Sequence, residues 1–337
     1  MQLPTRPLGR TGMDITAIGY GAWAIGGGGW SFGWGDQRDE DSVAVIRYVL
    51  DHGVNWIDTA PAYGMGHSEE VVARALRDIP EQDRPYVFTK CGLLVPEGRP
   101  FDDPERIASE ASLRAEVEAS LRRLGVERID LLQMHWPAGD GTPIEEYWGT
   151  LLELKKEGKV RAVGLSNHDV AELERAEAVG HVETLQPPFS LISRSAAAEL
   201  LPWCREHDTG VIVYSPMQSG LLTGAFSGER MAALDPEDWR TKDPEFTTNL
   251  PANLAFVDRL KAIAARHETT PSTVAVAWVL AWEGVTGAIV GARRPAQAAE
   301  WLQGGTLQLT DSDLDELATA LQETGAGSGP VRPEERA

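Results

Sequence analysis

Four polar side chains in the first half of the sequence are of the types that move protons in enzymes. Asp58, Lys90 and His135 each end a short apolar run, and Tyr63 follows Asp58 by five residues. A lysine ammonium close to a phenol stabilises the phenolate and lowers the tyrosine pKa from about 10, while a carboxylate keeps the lysine charged. A neutral imidazole beside them could orient and polarise a carbonyl group. These residue types predict acid–base chemistry on a carbonyl near neutral pH, with no metal ion required.

Each of the four residues also has an ordinary structural explanation. A lysine at a strand end is often a surface charge or one half of a structural ion pair, and a histidine next to Trp136 is as often a packed core residue. A lone tyrosine is usually a packing residue. The chemical interpretation therefore depends on a fold that brings the four side chains together.

The composition is that of an ordinary acidic globular protein. Of its 337 residues, 42% are hydrophobic and 24% charged, which is enough to bury a large core. The formal net charge of −20 disfavours nucleic acid and membrane as partners and leaves a small molecule as the expected one. The N-terminal residues lack the apolar core of a signal peptide, which favours a cytoplasmic protein. Cys91 and Cys204 lack metal-ligand spacing, so no metal site is expected, and the oligomeric state is left open.

Short β-branched runs alternate along the chain with longer amphipathic stretches, a pattern typical of βα units around a parallel sheet. Eight such units predict a closed (β/α)8 TIM barrel, because an open doubly wound sheet usually needs a G-x-G-x-x-G after its first strand and none is found there. The predicted strands are Ile15–Gly19, Asn55–Asp58, Tyr86–Lys90, Ile129–His135, Val160–Ser166, Thr184–Gln186, Val211–Tyr214 and Ala288–Val290. The predicted helices are Asp41–His52, His67–Arg77, Pro104–Leu124, Ile144–Glu157, Asp169–Val179, Ser195–His207, Leu254–His267 and Ser272–Trp282.

Two segments fall outside the repeat. Leu3–Leu8 and the turn after it predict an N-terminal β-hairpin that caps the barrel floor. Thr223–Pro251 is a long loop after strand seven, and a loop of that length in a compact domain is usually a lid or a binding loop. Its Trp239 and Arg240 are candidate lid residues.

The predicted organisation is a single catalytic barrel domain over residues 1–322, followed by a disordered, glycine-rich tail over residues 323–337. The glycine run Gly26–Gly29 after the first strand is either a flexible pocket loop or a plain linker.

Four strings resemble the signatures of the aldo-keto reductase family, in order and in spacing. The resemblance spans roughly residues 6–305, and it implies that Asp58, Tyr63, Lys90 and His135 form the catalytic tetrad of that family. Tyr63 is then the proton donor while hydride passes between a nicotinamide cofactor and a carbonyl or alcohol. The strings are Asn55-Trp56-Ile57-Asp58-Thr59-Ala60, Thr89-Lys90, Met134-His135-Trp136-Pro137 and Gly164-Leu165-Ser166-Asn167.

The same resemblance implies a cofactor site. Ser166, Asn167 and Gln186 match residues that hydrogen-bond the nicotinamide carboxamide, and Tyr214 matches the aromatic that stacks on the nicotinamide ring. The loop that begins at Ser215 matches the one that receives the pyrophosphate, where small residues allow close approach. The implied cofactor-binding residues are Gly21, Ala22, Trp23, Asp58, Ser166, Asn167, Gln186, Tyr214, Ser215, Pro216, Met217, Gln218, Gly220, Leu221, Gly291, Arg293, Arg294 and Gln297.

The segment after strand eight departs from the family pattern. Many members have Lys at the position of Gly291, Arg at that of Gln297 and Asn at that of Trp301. Arg293 and Arg294 could replace the missing charges, because a guanidinium binds phosphate bidentately, or they could be two solvated arginines at a helix start. NADP(H) is favoured as the cofactor, with NAD(H) possible.

The resemblance also implies that Trp23 and Trp136 wall the substrate pocket, and Trp30, Phe32 and Trp34 could extend that wall. An aromatic wall suits aldehydes, ketones or sugars without choosing among them. Two alternatives are kept. One is a nucleotide-sensing binding subunit that resembles the channel β-subunits, which share this fold and tetrad. The other is a barrel lyase or glycosidase, which would need paired carboxylates or a Schiff-base lysine and would leave the nicotinamide-binding strings unexplained.

Overall fold

The computed structural model describes residues 3–333, and within them eight parallel strands close a barrel. Each strand pairs with the next along the chain, and the last strand pairs with both the first and the seventh. The predicted (β/α)8 barrel and its N-terminal hairpin are therefore confirmed. The hairpin strands are β1 (Thr5–Pro7) and β2 (Asp14–Thr16), and the barrel strands are β3 (Ile18–Gly21), β4 (Trp56–Asp58), β5 (Tyr86–Cys91), β6 (Ile129–Met134), β7 (Val160–Ser166), β8 (Thr184–Gln186), β9 (Gly210–Val213) and β10 (Gly287–Gly291).

Helices follow the barrel strands and cover their outer faces with apolar side chains. Helix α9 is apolar on every side, and most of its residues are buried because other helical segments pack over it. In the described residues the helices are α1 (Asp39–Asp51), α2 (His67–Leu76), α3 (Glu110–Leu124), α4 (Ile144–Lys156), α5 (Val170–Glu177), α6 (Leu200–Glu206), α7 (Gly228–Ala232), α8 (Leu250–Arg266), α9 (Pro271–Ala281), α10 (Pro295–Ala299) and α11 (Asp311–Thr324). Within residues 3–333, no helix combines the length and the apolar character that crossing a membrane demands.

The predicted strand Ile15–Gly19 is wrong in its bounds, because the chain divides there between the hairpin and the barrel. Asp14–Thr16 pairs antiparallel with the first hairpin strand, and the barrel strand begins only at Ile18. The Thr16 hydroxyl donates to the Ile18 carbonyl oxygen at 2.7 Å, and the Thr16 backbone N–H donates to the Asn55 side chain at 2.8 Å. These side-chain bonds turn the backbone from one sheet into the other.

The hairpin closes the barrel at the amino ends of its strands. Leu8, Met13 and Ile15 are almost fully buried, and they pack into one cluster with Trp56 inside the barrel. Gly19 makes room for the indole of Trp56, since a Cβ atom at this glycine would lie 2.1 Å from the Trp56 ring. The barrel is therefore filled with side chains at this end and open to a ligand only at the other.

The predicted lid, Thr223–Pro251, is not a structureless loop. It contains α7, two short 3-10 turns and the first residues of α8. Side chains of Ser227, Asp238 and Asp243 accept hydrogen bonds from the backbone N–H groups that begin these turns. This local capping holds the segment in one shape over the barrel mouth.

The predicted disordered tail is ordered as far as the structure describes it. Helix α11 ends at Thr324, and Ser328 then pairs with the segment after β8, with its N–H 3.0 Å from the Ile192 carbonyl oxygen. The buried guanidinium of Arg194 donates to the backbone oxygens of Ala326 at 3.2 Å and Gly329 at 3.3 Å. These hydrogen bonds give a polar, glycine-rich segment fixed partners, which composition does not reveal. Residues 334–337 of the predicted tail lie outside the described residues.

Replacing Leu8 by Ala should reduce the free energy of unfolding by about 2–5 kcal/mol, because the change leaves a cavity between the hairpin and the barrel interior. Urea unfolding followed by circular dichroism measures this loss. Thr5→Ala, at an exposed position on the same hairpin, is the control and should change stability by less than about 0.5 kcal/mol. Equal effects of the two variants would show that the hairpin does not close the core.

Candidate active site

The four predicted catalytic residues meet at the carboxyl ends of adjacent barrel strands. Asp58 is the last residue of β4, Lys90 lies near the end of β5, and His135 directly follows β6. Tyr63 lies on the loop after β4, with its ring edge-on to His135 at 5.8 Å between ring centroids. The parallel strands bring together side chains that are far apart in sequence.

Lys90 lies at the centre of this group. Its Nζ donates to Asp58 Oδ1 at 2.5 Å, to the Thr59 carbonyl oxygen at 3.0 Å and to the Tyr63 hydroxyl oxygen at 3.2 Å. Lys90 and Asp58 are 1% and 2% exposed, so neither charge is solvated by bulk water. An ammonium has three N–H donors, and here each has an acceptor, which is the condition for burying such a charge.

The surroundings determine the protonation state of each group. Burial raises the pKa of Tyr63 above its ordinary value, and although the charge of Lys90 acts in the opposite direction it does not reverse the shift. Burial lowers the pKa of Lys90, but Asp58 and Tyr63 together raise it further, so the ammonium stays charged. Burial, and then the charge of Lys90, hold the pKa of His135 well below its usual range. At neutral pH the site therefore contains a phenol, an ammonium and a neutral imidazole.

The pKa of Tyr63 is not lowered as expected. Removing the phenolate from water costs more free energy than its attraction to the Lys90 ammonium gains. The difference favours a protonated Tyr63, which is the form that can donate a proton.

A glutamine that the sequence analysis missed completes the bonding of Asp58. Gln133 is fully buried, and its Nε2 donates to Asp58 Oδ2 at 3.3 Å while its Oε1 accepts from Gln186 Nε2 at 3.1 Å. Gln186 Nε2 also lies 2.9 Å from Asp58 Oδ2. A signal was present in the sequence, since Gln133 alternates with Leu131 and His135 along one strand and so points to the barrel interior.

Ser166 and Asn167 are held beside the tetrad by a second set of hydrogen bonds. Asn167 has a φ of 63°, donates from Nδ2 to the His135 carbonyl oxygen at 2.9 Å and accepts from the Tyr214 hydroxyl at 2.8 Å. The Ser166 hydroxyl donates to the Gln186 carbonyl oxygen at 2.9 Å. Amide, hydroxyl and aromatic groups thus lie together at the ends of β7, β8 and β9, as the resemblance implies for a carboxamide and its ring.

His168 fixes the backbone of this segment and was not predicted. Its Nδ1 lies 2.8 Å from the Ser166 carbonyl oxygen, and its Nε2 lies 2.8 Å from the Tyr147 hydroxyl. A carbonyl oxygen only accepts, so Nδ1 carries the proton and Nε2 accepts from Tyr147. Burial lowers the pKa of His168 to about 4, which keeps the ring in this neutral form.

One cavity of about 1130 Å³ opens above the tetrad and runs to the end of β10. Its volume is sufficient for a dinucleotide together with a small substrate. Leu221 is the exception among the predicted cofactor residues, since its side chain packs into the outer hydrophobic core, while Lys90 lies beneath the cavity surface. The predicted residues that line the cavity are Gly21, Ala22, Trp23, Trp30, Trp34, Asp58, Tyr63, His135, Trp136, Ser166, Asn167, Gln186, Tyr214, Ser215, Pro216, Met217, Gln218, Gly220, Gly291, Arg293, Arg294 and Gln297.

The loop after β9 offers backbone rather than side chains to this cavity. Ser215, Gln218 and Ser219 have φ values of 56°, 46° and 50°, and Gly220 has a φ of 93° with no atom within 4 Å of where a Cβ would lie. Left-handed backbone of this kind turns successive peptide groups toward one side, and an anion can approach them closely. The loop therefore fits the phosphates of a dinucleotide.

Arg240, Arg293 and Arg294 line the same cavity in an otherwise acidic protein. Burial, and then the positive charges of Arg294 and Arg240, lower the pKa of Arg293. Arg240 belongs to the lid, where its Nη2 lies 2.6 Å from Asp238 Oδ2. A bound phosphate would reduce the repulsion between Arg293 and Arg294.

The two predicted phosphate-binding arginines have different surroundings. Arg293 donates from Nε to the Gln37 side chain at 2.8 Å and from its other nitrogens to the backbone oxygens of Trp34 and Asp36. It therefore ties the loop after β3 to the loop after β10. Arg294 is exposed on the cavity with no acceptor among the described residues, so its guanidinium is free to bind an anion.

Tryptophans of the lid and of the loop after β3 meet over the tetrad. Trp23 stacks on Trp239 with 5.7 Å between ring centroids and contacts Trp34 edge-on at 5.3 Å. Arg240 lies 5.0 Å above the Trp34 ring. Trp30 and Trp136 line the same cavity. The wall next to Tyr63 is thus aromatic, and the lid forms part of it.

Acid should destabilise the fold through His168. The unfolded side chain binds a proton below about pH 6.5, whereas the folded one stays neutral down to about pH 4. The unfolded state binds more protons in this window. The free energy of unfolding should therefore decrease as the pH is lowered, by about 3 kcal/mol across the window.

Urea unfolding across the same pH range measures this effect. His168→Gln should be less stable at neutral pH but should lose less stability on acidification than the wild type, whereas the exposed control His52→Gln should keep the wild-type pH dependence. An unchanged pH dependence in His168→Gln would contradict a buried neutral ring.

Comparison with known proteins agrees with this geometry. Residues 17–322 match the model of the Aldo/keto reductase family. The sequence is 36% identical over 328 residues to "Aldo-keto reductase YhdN" of Bacillus subtilis (strain 168), covering 96% of this chain and 95% of that protein. It is 34% identical over 329 residues to "NADH-specific methylglyoxal reductase" of Escherichia coli (strain K12), covering 94% of this chain and 98% of that protein. The solved structure of glycerol dehydrogenase AKR11B4 from Gluconobacter oxydans superimposes with a TM-score of 0.86 at 35% identity, covering 99% of both chains. The chain therefore belongs to the aldo/keto reductase family and is an oxidoreductase of carbonyl or alcohol groups.

Proposed function

We propose that this protein reduces aldehydes or ketones, or oxidises the matching alcohols, with a nicotinamide cofactor and with Tyr63 as the general acid or base. The observation that carries the proposal is the Lys90 ammonium, bonded to both the Asp58 carboxylate and the Tyr63 hydroxyl below a cavity that His135 also lines. A structural lysine would not need a phenol that opens into a cavity.

In the reductive direction Tyr63 gives its proton to the carbonyl oxygen of the substrate as that oxygen gains charge. Lys90 lies 3.2 Å from the Tyr63 oxygen and stabilises the phenolate that remains. Asp58 keeps the lysine charged and in place through the 2.5 Å contact. His135, neutral at the pH of the reaction, offers an N–H to the same carbonyl oxygen and polarises it.

The cofactor, when bound, supplies the hydride that adds to the carbonyl carbon. Ser166, Asn167 and Gln186 would hold its carboxamide, Tyr214 its ring, and the backbone after β9 its pyrophosphate. Their polar groups are already ordered by protein hydrogen bonds, so binding the cofactor needs little rearrangement.

For the choice of cofactor we favour NADP(H), with Arg294 as the residue that binds the 2′-phosphate. Arg294 is exposed on the cavity and has no carboxylate partner among the described residues. NAD(H) is the second candidate, because Glu300 lines the same cavity and a carboxylate there suits a ribose hydroxyl better than a phosphate. The Escherichia coli relative is NADH-specific, which supports the second candidate.

The reaction class is tested by incubating the protein with a panel of aldehydes, ketones and sugar alcohols, each with NADPH and with NADH, and following the nicotinamide absorbance. No turnover with any of them, together with tight cofactor binding, would instead favour a nucleotide-sensing binding subunit.

Tyr63→Phe should lower carbonyl reduction by about 10²–10⁴-fold, since it removes the proton donor while the ring still packs. Lys90→Met should cause a similar loss, because the phenolate is then unsupported and Asp58 loses its counter-charge. The double variant should be little worse than either single variant, because the two residues act as one acid.

Cofactor dissociation constants, measured by quenching of tryptophan fluorescence, are the control for folding and should stay near the wild-type value in Tyr63→Phe. Losses that multiply in the double variant, or more than about a tenth of the activity left in Tyr63→Phe, would remove Tyr63 from the proposed role.

Arg294→Gln should weaken NADPH binding by about 1.5–3 kcal/mol, as when a charged hydrogen bond is lost, and leave NADH binding nearly unchanged. Arg293→Gln is the matched comparison. It should weaken both cofactors alike, because it releases the loop after β3. Calorimetric titration gives both constants. A wild type that prefers NADH would support the second candidate.

A further inference from the structure

Arg106 lies at the mouth of the cavity, on the loop between β5 and α3. Its guanidinium carbon is 4.6 Å above the centroid of the Trp136 ring, and both residues line the cavity. Trp136 directly follows His135 in the chain. A stacked guanidinium is held at a defined place beside the reacting end of the cavity.

The backbone around Arg106 is fixed from two sides. Glu105 pairs with Leu94, three residues past the end of β5, through two backbone hydrogen bonds of 2.8 and 2.9 Å. The Arg106 carbonyl oxygen accepts from the Gly139 N–H at 2.8 Å, and a Cβ at this glycine would lie 3.1 Å from the Arg106 Cβ. The loop after β6 thus passes close to Arg106 because residue 139 has no side chain.

The charge of Arg106 has no carboxylate partner within the described part of the chain, although the protein has 20 more acidic than basic residues. Of the acidic residues near it, Asp103 lines the same cavity without forming an ion pair to Arg106, and three others are engaged elsewhere. Asp102 and Glu105 pair with Arg99 at 2.8 and 3.6 Å, and Asp140 accepts from two backbone N–H groups at 3.0 Å each. The guanidinium is therefore stacked, ordered and free to bind an anion.

Trp23 and Trp239 form an aromatic wall next to Tyr63, and Arg240, which lies over this wall, is held by Asp238. We propose that Arg106 binds an oxyanion group, carboxylate or phosphate, on a carbonyl substrate whose carbonyl reaches Tyr63 and His135. The inference rests on the proposed function. The planar fork of an arginine binds such groups bidentately, and stacking on Trp136 reduces the side-chain entropy lost on binding.

Matched substrates test this assignment. Succinic semialdehyde is compared with butanal, and glyceraldehyde 3-phosphate with glyceraldehyde, so that each pair differs in the anionic group. The wild type should prefer at least one anionic member in kcat/KM by about 10- to 100-fold. Arg106→Gln should remove that preference mainly through KM and leave the neutral members unchanged. Arg106→Lys should retain only part of it, because an ammonium does not stack or bind bidentately.

The pair that shows the preference identifies the anion as carboxylate or phosphate. Arg77→Gln is the matched control, since Arg77 is an exposed arginine that follows α2 and does not line the cavity. It should change neither member of either pair. Equal losses on neutral and anionic substrates in Arg106→Gln, or an anionic preference that survives the substitution, would overturn the proposal.

A binding measurement keeps the inference independent of turnover. Titrating tryptophan fluorescence with 4-hydroxybutanoate and with butan-1-ol, and with glycerol 3-phosphate and glycerol, needs no catalysis. At least one anion should bind the wild type about 10-fold more tightly than its neutral partner, and Arg106→Gln should bind both alike. If this holds but no carbonyl is reduced, the proposed function fails and the anion site stands. If the wild type shows no preference in binding or turnover, the anion site fails alone.

Discussion

The ion pair between Lys90 and Asp58 is the constraint that the active end of the barrel depends on. Both groups are almost fully buried, and breaking one partner of such a pair costs about 3–5 kcal/mol because the other is left as an uncompensated charge. The pair is tolerable here because Gln133 and Gln186 also donate to Asp58 while Tyr63 accepts from Lys90. These partners come from several strands, so a small shift of any one of them would leave a buried polar group unpaired.

That requirement links the acid–base group to the expected nicotinamide site. Gln186 bonds Asp58 through its amide nitrogen, and its backbone oxygen accepts from Ser166. Asn167 in turn bonds the backbone of His135 and the hydroxyl of Tyr214. One continuous hydrogen-bonded network therefore positions both Tyr63, the proposed proton donor, and the groups proposed to hold the carboxamide. Such a network is rigid because each member has its partners inside the protein.

The mouth of the cavity is held by different interactions. Stacking among Trp23, Trp34 and Trp239 connects the loop after β3 to the lid, and Arg293 connects the same loop to the end of β10. These contacts lie at the surface end and bury fewer polar groups than the tetrad does. Breaking these contacts would not disturb the buried charges below, which suits the proposed binding of a dinucleotide.

The fold class and the four residues of the tetrad can be predicted from the amino-acid sequence. Periodic apolar runs encode strands and helices locally, and Asp58, Lys90 and His135 can be found because each is a polar residue that ends such a run. The role of Gln133 was within reach of the same argument, since it alternates with inward-facing residues of one strand. The start of the first barrel strand could not be predicted in this way. Thr16 bonds a residue 39 positions away, and the turn between the hairpin and the barrel depends on that contact.

Which charges are free, and which protonation state each group holds, depends on contacts that exist only in the folded protein. Nothing in the sequence distinguishes the three arginines Arg293, Arg294 and Arg106. In the folded protein the first is bonded to a distant loop, the second is exposed on the cavity and the third is stacked on Trp136. The pKa of Tyr63 is likewise the balance of burial against one nearby ammonium, and burial prevails. Desolvation and long-range pairing arise from neighbours across the barrel, so the order of residues along the chain does not contain them in readable form.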